Sequence, residues 1–313
     1  MTDLKDIENR HISVLLHELV NSIDIKSDEK NIIVDCTLWM WWHASKVIEK
    51  MNKWDIFIWF DADLQNLELA EKILNETNKD NKIEIILINS NFINLKKELE
   101  ERNINKITWI YYDLWLSSLH LDEAERWFSF MLEWPLDMRL DKSRWKTAAD
   151  IVNGYTQADL REIFMKYWEE PGSNKISARI VEERRKNKFK TTTQLSEIIP
   201  GWPKTKSRIF QAIRIEVNQE LKAIEVSLED AIKLLEKNWK IFVISFHSLE
   251  DRITKHILKK ETKDCICTDL ICSCHHTKTL KVITKKPILP TNEEIKENPR
   301  SRSAKARCAI KII

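Results

Sequence analysis

Glycine is almost missing from this chain. There are three glycines, Gly154, Gly172 and Gly201, in 313 residues. At an average usage near 7% a chain this long would carry roughly 22. Glycine lets the backbone take positive φ, close helix ends and approach a ligand. A chain rich in helix–strand connections needs such positions. The same chain has 13 tryptophans, and many stand where turn chemistry is due. Trp39, Trp41 and Trp42 follow the strand-like NIIV in DCTLWMWWH. Trp54, in MNKWDIFI, and Trp239, in EKNWKIFVISF, fall between a helical and a strand pattern. Trp59 precedes the acids of IFIWFDAD, and Trp115 follows a strand in YYDLWLSS. Trp127, Trp134 and Trp168 lie in ERWFSFMLEWPLD and KYWEEPG. With glycine in place of tryptophan, each becomes ordinary loop punctuation. The codon UGA means stop or tryptophan in most translation tables but glycine in some bacterial lineages. Most or all of the 13 positions are therefore expected to be glycine in the native protein. The alternative is a genuinely tryptophan-rich chain.

The remaining composition is that of a globular protein, 43% hydrophobic and 32% charged, long enough for one large domain or two modest ones. A net charge of +2 says little about partners. No apolar run reaches the length of about 18 residues that a membrane span needs. The start, MTDLKDIENRHISVLLHELV, has no signal-peptide pattern, so a cytoplasmic location is expected.

Hydrophobic periodicity alternates strands and helices. Strands are expected at 31–37, 55–61, 83–89 and 106–114, with helices near 13–23, 43–52, 64–78 and 92–102. That alternation predicts an α/β fold with a doubly wound parallel sheet. From about 117 to 235 the pattern is helical, and strands resume at 240–248, 280–286 and 306–313. The expected division is a discontinuous domain, 1–116 and 236–313, interrupted by a helical insertion at 117–235.

Strand, acid, glycine-rich loop and helix form a nucleoside-binding layout, because a backbone without side chains approaches a ligand at the sheet's carboxyl edge. No GK[ST] follows, so this is not a Walker loop. Asp61 ends the next strand about 20 residues beyond the loop, a spacing suited to a carboxylate that accepts from ribose hydroxyls. Asp61 as the cap of the next helix is the plainer alternative. The layout is shared by nicotinamide-dependent oxidoreductases and S-adenosylmethionine enzymes. The cluster CICTDLICSCHH sets Cys265, Cys267, Cys272 and Cys274 in a CxC-x4-CxC spacing. Four thiolates so close can complete a tetrahedral zinc site, or remain free thiols in a surface loop. Two segments are dense in cations, RIVEERRKNKFK and RSRSAKAR.

The longer motifs are more specific. HISVLLHEL, DCTLWMWWHASKVI, YYDLWLSS, ERWFSF, PLDMRLD, FQAIRIEVNQEL, ISFHSLEDRITK and NPRSRSAKAR occur in this order. Together they resemble the bacterial 16S ribosomal RNA cytosine-N4 methyltransferase family, RsmH or MraW, from about His11 to Arg307. At the motif tryptophans that can be aligned, the family pattern has glycine. The resemblance implies a class I S-adenosylmethionine-dependent methyltransferase with a helical insertion. It implies that Trp41, Trp42 and His43 line the cofactor loop, that Asp61 holds the ribose, and that Phe92 and Asp113 flank the adenine and methionine parts. His120 aligns where the family has glutamine. Candidates for holding or deprotonating the cytosine amine are Asp113, Ser117, Ser118, Ser245 and His247; a helix-starting structural role for His247 stays open. Arg139 is the expected RNA contact of the insertion, against an internal ion pair with Asp137 or Asp141. Arg300, Arg302 and Lys305 are expected on RNA phosphates. Small-subunit RNA or the small ribosomal subunit is the expected partner, with no membrane, and a homodimer is left open. If the loop tryptophans were genuine, a non-catalytic RNA-binding homologue would be the alternative.

Overall fold

A computed structural model describes residues 13–37, 42–78, 82–114, 133–140, 146–168, 171–201, 203–267 and 272–313. Two compact units divide the chain, residues 1–115 with 222–313, and residues 116–221.

The first unit is built on seven strands: β1 (Ile32–Asp35), β2 (Ile56–Asp61), β3 (Glu84–Asn89), β4 (Ile107–Asp113), β5 (Leu235–Ser245), β6 (Leu280–Val282) and β7 (Lys305–Lys311). Their order across the sheet is β3-β2-β1-β4-β5-β7-β6. Neighbours from β3 to β5 pair in parallel, whereas β7 runs antiparallel to both β5 and β6. This order, with one reversed strand inserted next to the edge, is that of the class I methyltransferase fold.

Local chemistry explains why the strands form where they do. β1, β2 and β4 are runs of Ile, Phe, Trp and Tyr that are buried along almost their whole length, as strands covered on both faces must be. Buried Asp55 ties the amino ends of β1 and β2 together. Its carboxylate accepts from the Asn31 backbone N–H at 2.8 Å, the Asn31 amide at 2.9 Å and the Asn52 N–H at 2.7 Å. Helix α1 (Leu16–Ser22) precedes β1, and α2 (Trp42–Lys50), α3 (Leu64–Thr77) and α4 (Leu95–Glu100) follow the ends of β1, β2 and β3 in α/β alternation.

The second unit contains α5 (Ala148–Gly154), α6 (Gln157–Trp168), α7 (Ser173–Lys186), α8 (Thr192–Ile198) and α9 (Pro203–Asn218). Thr147 and Thr191 start α5 and α8 with reciprocal capping boxes to Asp150 and Gln194. The sequence reading ended the insertion at 235. In the structure α10 (Glu220–Leu234) joins the sheet-bearing unit from Lys222 onward. Its apolar face, Ala223, Ile224, Leu228, Ala231 and Ile232, is buried, and Ser227 Oγ lies 2.7 Å from the hydroxyl of Tyr112 on β4. Among the described residues no helix is long and apolar enough to cross a membrane.

The described tryptophans strain the fold they occupy. Trp54 has φ 78° and is 72% exposed, a left-handed turn residue with its indole in solvent. Such a conformation in a bulky residue costs about 1–3 kcal/mol. Trp42, Trp59, Trp109 and Trp134 each bury an indole N–H that meets no hydrogen-bond partner, a loss of about 1–3 kcal/mol apiece. Trp59, Trp109 and Trp239 are core residues, 1%, 0% and 3% exposed, although Trp59 and Trp239 were read from sequence as standing at turn positions. Beside Trp239 the sheet register jumps. Ile107 pairs with Leu235, but Trp109 pairs with Lys240, and Asn238 takes φ 71°.

Candidate active site

Parallel strands deliver their last residues to one edge of a sheet, and all five of these strands end in polar groups: Asp35 on β1, Asp61 on β2, Asp113 on β4 and Ser245 on β5, with Asn89 on β3. Asp35, Asp113 and Ser245 are buried. Thr37 links the first and third of these ends. Its N–H donates to Asp35 Oδ1 at 3.0 Å, and its hydroxyl accepts from the Asp113 N–H at 2.6 Å. The Cys36 N–H donates to the Tyr111 carbonyl at 3.1 Å. Burial pushes the Asp35 carboxyl well above the usual carboxylate range, against the opposing hydrogen bonds from Tyr111 and Thr37. Neither Asp35, Thr37 nor Tyr111 was among the site residues expected from sequence. The signal was there in Asp35, an acid at the end of an otherwise apolar strand.

His43, on the first turn of α2, is buried beneath this edge. Its Nε2 donates to the Val14 carbonyl at 3.1 Å, and its Nδ1 lies 3.3 Å from Asp113 Oδ2. Burial outweighs the hydrogen bond to the Val14 carbonyl and lowers its pKa to about 4, so the ring is neutral near pH 7. Asp61 makes a tight local turn: Oδ1 accepts from the Asp63 N–H at 2.6 Å and Oδ2 from the Asn66 amide at 3.3 Å. Asp61 thus stands two residues ahead of the α3 cap position, with its carboxylate at the strand end. Phe92 opens a short 3-10 turn (Phe92–Asn94) after β3 and meets Tyr112 edge-on, with ring centroids 5.9 Å apart.

His247 begins α11 (Ser248–Lys260). Its Nδ1 accepts from the Glu250 N–H at 3.5 Å and its Nε2 lies 2.8 Å from Glu250 Oε1. Both nitrogens face Glu250, so the ring takes part in the start of the helix. Arg139, in the second unit, grips Asp137 with Nε at 2.6 Å from Oδ1 and Nη2 at 2.8 Å from Oδ2. Arg300 and Arg302 are exposed on a 3-10 turn (Pro299–Ser303), and Lys305 is half-buried 4.0 Å from Asp251 Oδ2. The same Asp251 binds Arg307 through two bonds, at 2.7 and 3.2 Å. The two motifs ISFHSLEDR and NPRSRSAKAR therefore meet across β5 and β7, and Arg307 serves that junction. Trp41, Ser117, Ser118 and His120 lie outside the described residues. Trp42 is partly buried against the core.

Cys265, Cys267, Cys272 and Cys274 form a second cluster, away from the sheet edge in sequence. Their sulfurs all lie within 4.8 Å of one another. Cys272 and Cys274 are 3.7 Å apart, and Cys274 and Cys265 are 3.9 Å apart. Four sulfurs at the usual zinc–sulfur length of about 2.3 Å in a tetrahedron sit about 3.8 Å apart. Backbone N–H groups of Ile266, Cys267 and Ser273 point at Cys274, Cys265 and Cys267, at 3.5, 3.4 and 3.4 Å. Such donors suit thiolate sulfur.

Comparison with known proteins agrees with this geometry. Residues 8–312 match the MraW methylase family. A protein of Clostridioides difficile named ribosomal RNA small subunit methyltransferase H is 42% identical, covering 98% of this chain and all of that one. A protein of the same name from Caldicellulosiruptor bescii is 43% identical, covering 96% of this chain and 99% of its own length. Among solved structures, a putative rRNA-methylase from Clostridium thermocellum covers 96% of this chain and 100% of its own at 11% identity and a TM-score of 0.45, too distant to add to the sequence match. The seven-stranded order, the acids at its carboxyl edge and the match over nearly the full length have one reading: the chain belongs to the MraW methylase family.

Proposed function

We propose that the protein transfers a methyl group from S-adenosylmethionine to the exocyclic N4 of a cytosine in the decoding region of 16S ribosomal RNA, with cytosine 1402 the expected base. The observation that carries the proposal is the full-length match to enzymes named for the small-subunit RNA, on a sheet whose strand ends carry acids. Those acids fit the cofactor: Asp61 offers a carboxylate to a ribose diol, and Phe92 at the next strand end offers an apolar ring to adenine. The cofactor supplies an electrophilic methyl on a sulfonium. The protein's part is to hold N4 in line with it, since positioning supplies most of the acceleration in such a transfer. The target base must leave its stack to reach the site. Buried Asp113 is the group assigned to orient the amine, with Ser117, Ser118 and Ser245 beside it in the motifs. The second unit, residues 116–221, is assigned to the RNA, with Arg139 as a contact that must first release Asp137.

Glycine at most or all of the written tryptophans belongs to the same reading. It is supported by the left-handed, exposed Trp54 and by the orphaned indole nitrogens of Trp42, Trp59, Trp109 and Trp134. Glycine removes each of these costs at once. A structural zinc ion on Cys265, Cys267, Cys272 and Cys274 completes it, supported by the sulfur spacing. The test is methylation of small-subunit RNA by the protein with glycine at those 13 positions, read by mass analysis for N4-methylcytosine. Activity in the tryptophan form alone, or UGG codons at 39, 41 and 42, would sink the glycine reading. Methylation of another RNA, or none, would sink the substrate.

A further inference from the structure

On several helices, lysines pair with acids one turn away: Lys46 with Glu49, Lys96 with Glu100, Lys97 with Glu101, Lys222 with Glu225 and Lys233 with Asp230. On α11 the two acids are taken. Glu250 accepts from the backbone N–H groups of Phe246 and His247 at 2.7 and 3.1 Å. Asp251, four residues before Lys255, is held by Arg307. Lys255, His256, Lys259 and, just past the helix, Lys263 are exposed, and Lys255, Lys259 and Lys263 have no ion-pair partner among the described residues. Their spacing of three to four residues puts them in one stripe.

The stripe has a direction. α11 starts directly after β5, at the sheet's carboxyl edge, and its 13 residues carry the chain about 18 Å away. At its start, Asp251 ties in Lys305 of the segment that carries exposed Arg300 and Arg302. At its end, His256, Lys259, Lys260, Lys263 and Ile266 line an open concavity of about 370 Å³ next to the cysteine cluster. Lys260 is neutralised by Glu229 at 3.1 Å, and Lys278 by Asp264 at 3.2 Å. Favourable interaction with the helix dipole explains a cation at Lys259. It does not explain Lys255 in mid-helix or Lys263 beyond the last turn.

We infer that this stripe is a backbone track for ribosomal RNA, running from the candidate active edge to the cysteine cluster and binding phosphates in the strand that flanks the target base. The inference rests on the RNA substrate proposed above and adds a contact surface outside the insertion. Unpaired, exposed cations at regular spacing suit a phosphate chain, whose counterions they displace. The isolated net charge of the chain, +2, hides the track because acids elsewhere cancel it.

The experiment uses the full chain in its native residues and a small-subunit RNA fragment spanning the target. Lys255→Ala, Lys259→Ala and Lys263→Ala are combined, and binding is followed by fluorescence anisotropy across a salt series. Loss of three phosphate contacts should lower the slope of log K against log salt by roughly 2–3. KM for RNA should rise at least tenfold, with kcat and S-adenosylmethionine affinity unchanged. A triple Lys→Arg variant should keep full binding. An unchanged slope and KM would overturn the track while leaving the enzyme's function standing. Wild-type protein that neither binds nor methylates the fragment would overturn both. A fall in cofactor affinity or melting temperature in parallel with RNA binding would mean that the lysines serve the fold, and would also overturn it.

Discussion

The carboxyl edge of the sheet and the cysteine cluster are both polar constellations, assembled in opposite ways. The edge draws Asp35, Asp61, Asp113 and Ser245 from four strands; Asp35, Asp113 and Ser245 are buried, and Thr37 bridges Asp35 and Asp113. The cluster takes all four ligands from one ten-residue stretch and leaves them partly or fully exposed. A site spread over a sheet is coupled to the stability of the whole unit. A site within one loop is coupled mainly to that loop. Disturbing the edge should therefore change both binding and folding, whereas emptying the cluster should change little beyond its surroundings.

The largest effect should come from the loop after β1. Placing glycine at 39, 41 and 42 is expected to raise S-adenosylmethionine affinity at least ~100-fold, near 3 kcal/mol, measured by calorimetry against the tryptophan form. Equal affinity in both forms would detach the loop from the site. Next comes buried His43. Its pKa of about 4 lies below the unfolded value near 6.5, so the native state binds fewer protons between those limits. Stability should fall as pH drops from about 6.5 to 4, by on the order of 3 kcal/mol. Asp35, raised by burial, acts in the opposite sense and offsets part of that fall. Urea unfolding at pH 7 and pH 4.5 should show a flatter dependence in His43→Gln. An equally steep fall in that variant would place the titration elsewhere.

Asp61→Ala should cost about 1.5–3 kcal/mol of cofactor affinity through a lost charge-assisted hydrogen bond. If affinity holds and α3 frays by hydrogen exchange, Asp61 serves only its local turn. The smallest effect belongs to the cysteines. One zinc per chain is expected by elemental analysis, released by Cys272→Ser or a strong chelator. Melting should then fall by only a few degrees, about 1 kcal/mol on a unit of this size, with kcat within twofold. A collapse of the whole melting transition would erase the contrast between the two regions.

What the sequence made legible follows the same division. Local features were readable: the first four strands within one or two residues of their ends, the thiol cluster, and the capping of α11 at His247. Asp113 was readable because it ends an apolar strand in a recognisable motif. Partnerships across the sheet were not. Arg307 holding Asp251 joins residues 56 apart, and nothing in either segment names the other. Arg139 was read as an RNA contact against an ion pair with Asp137 or Asp141, and the structure holds the Asp137 pair, at a backbone turn where Met138 takes φ 60°. The end of the insertion was missed because α10 has the same period as the helices before it. Which unit a helix joins depends on what covers its apolar face.

Strand β7 has a consequence for how the protein can be made. It is inserted between β5 and β6, and it follows every one of the 13 tryptophan positions in the chain. If those positions are UGA codons, as proposed above, a ribosome that stops at any of them releases a polypeptide ending at or before residue 238, without β6, β7 or most of β5. The strands already made then present an unpaired edge, a template for aggregation. Under that reading only a cell that decodes all of these codons as amino acids can close the sheet. In a foreign host, truncation at these codons would show as insoluble fragments of a few fixed lengths, each ending just before a position written here as tryptophan.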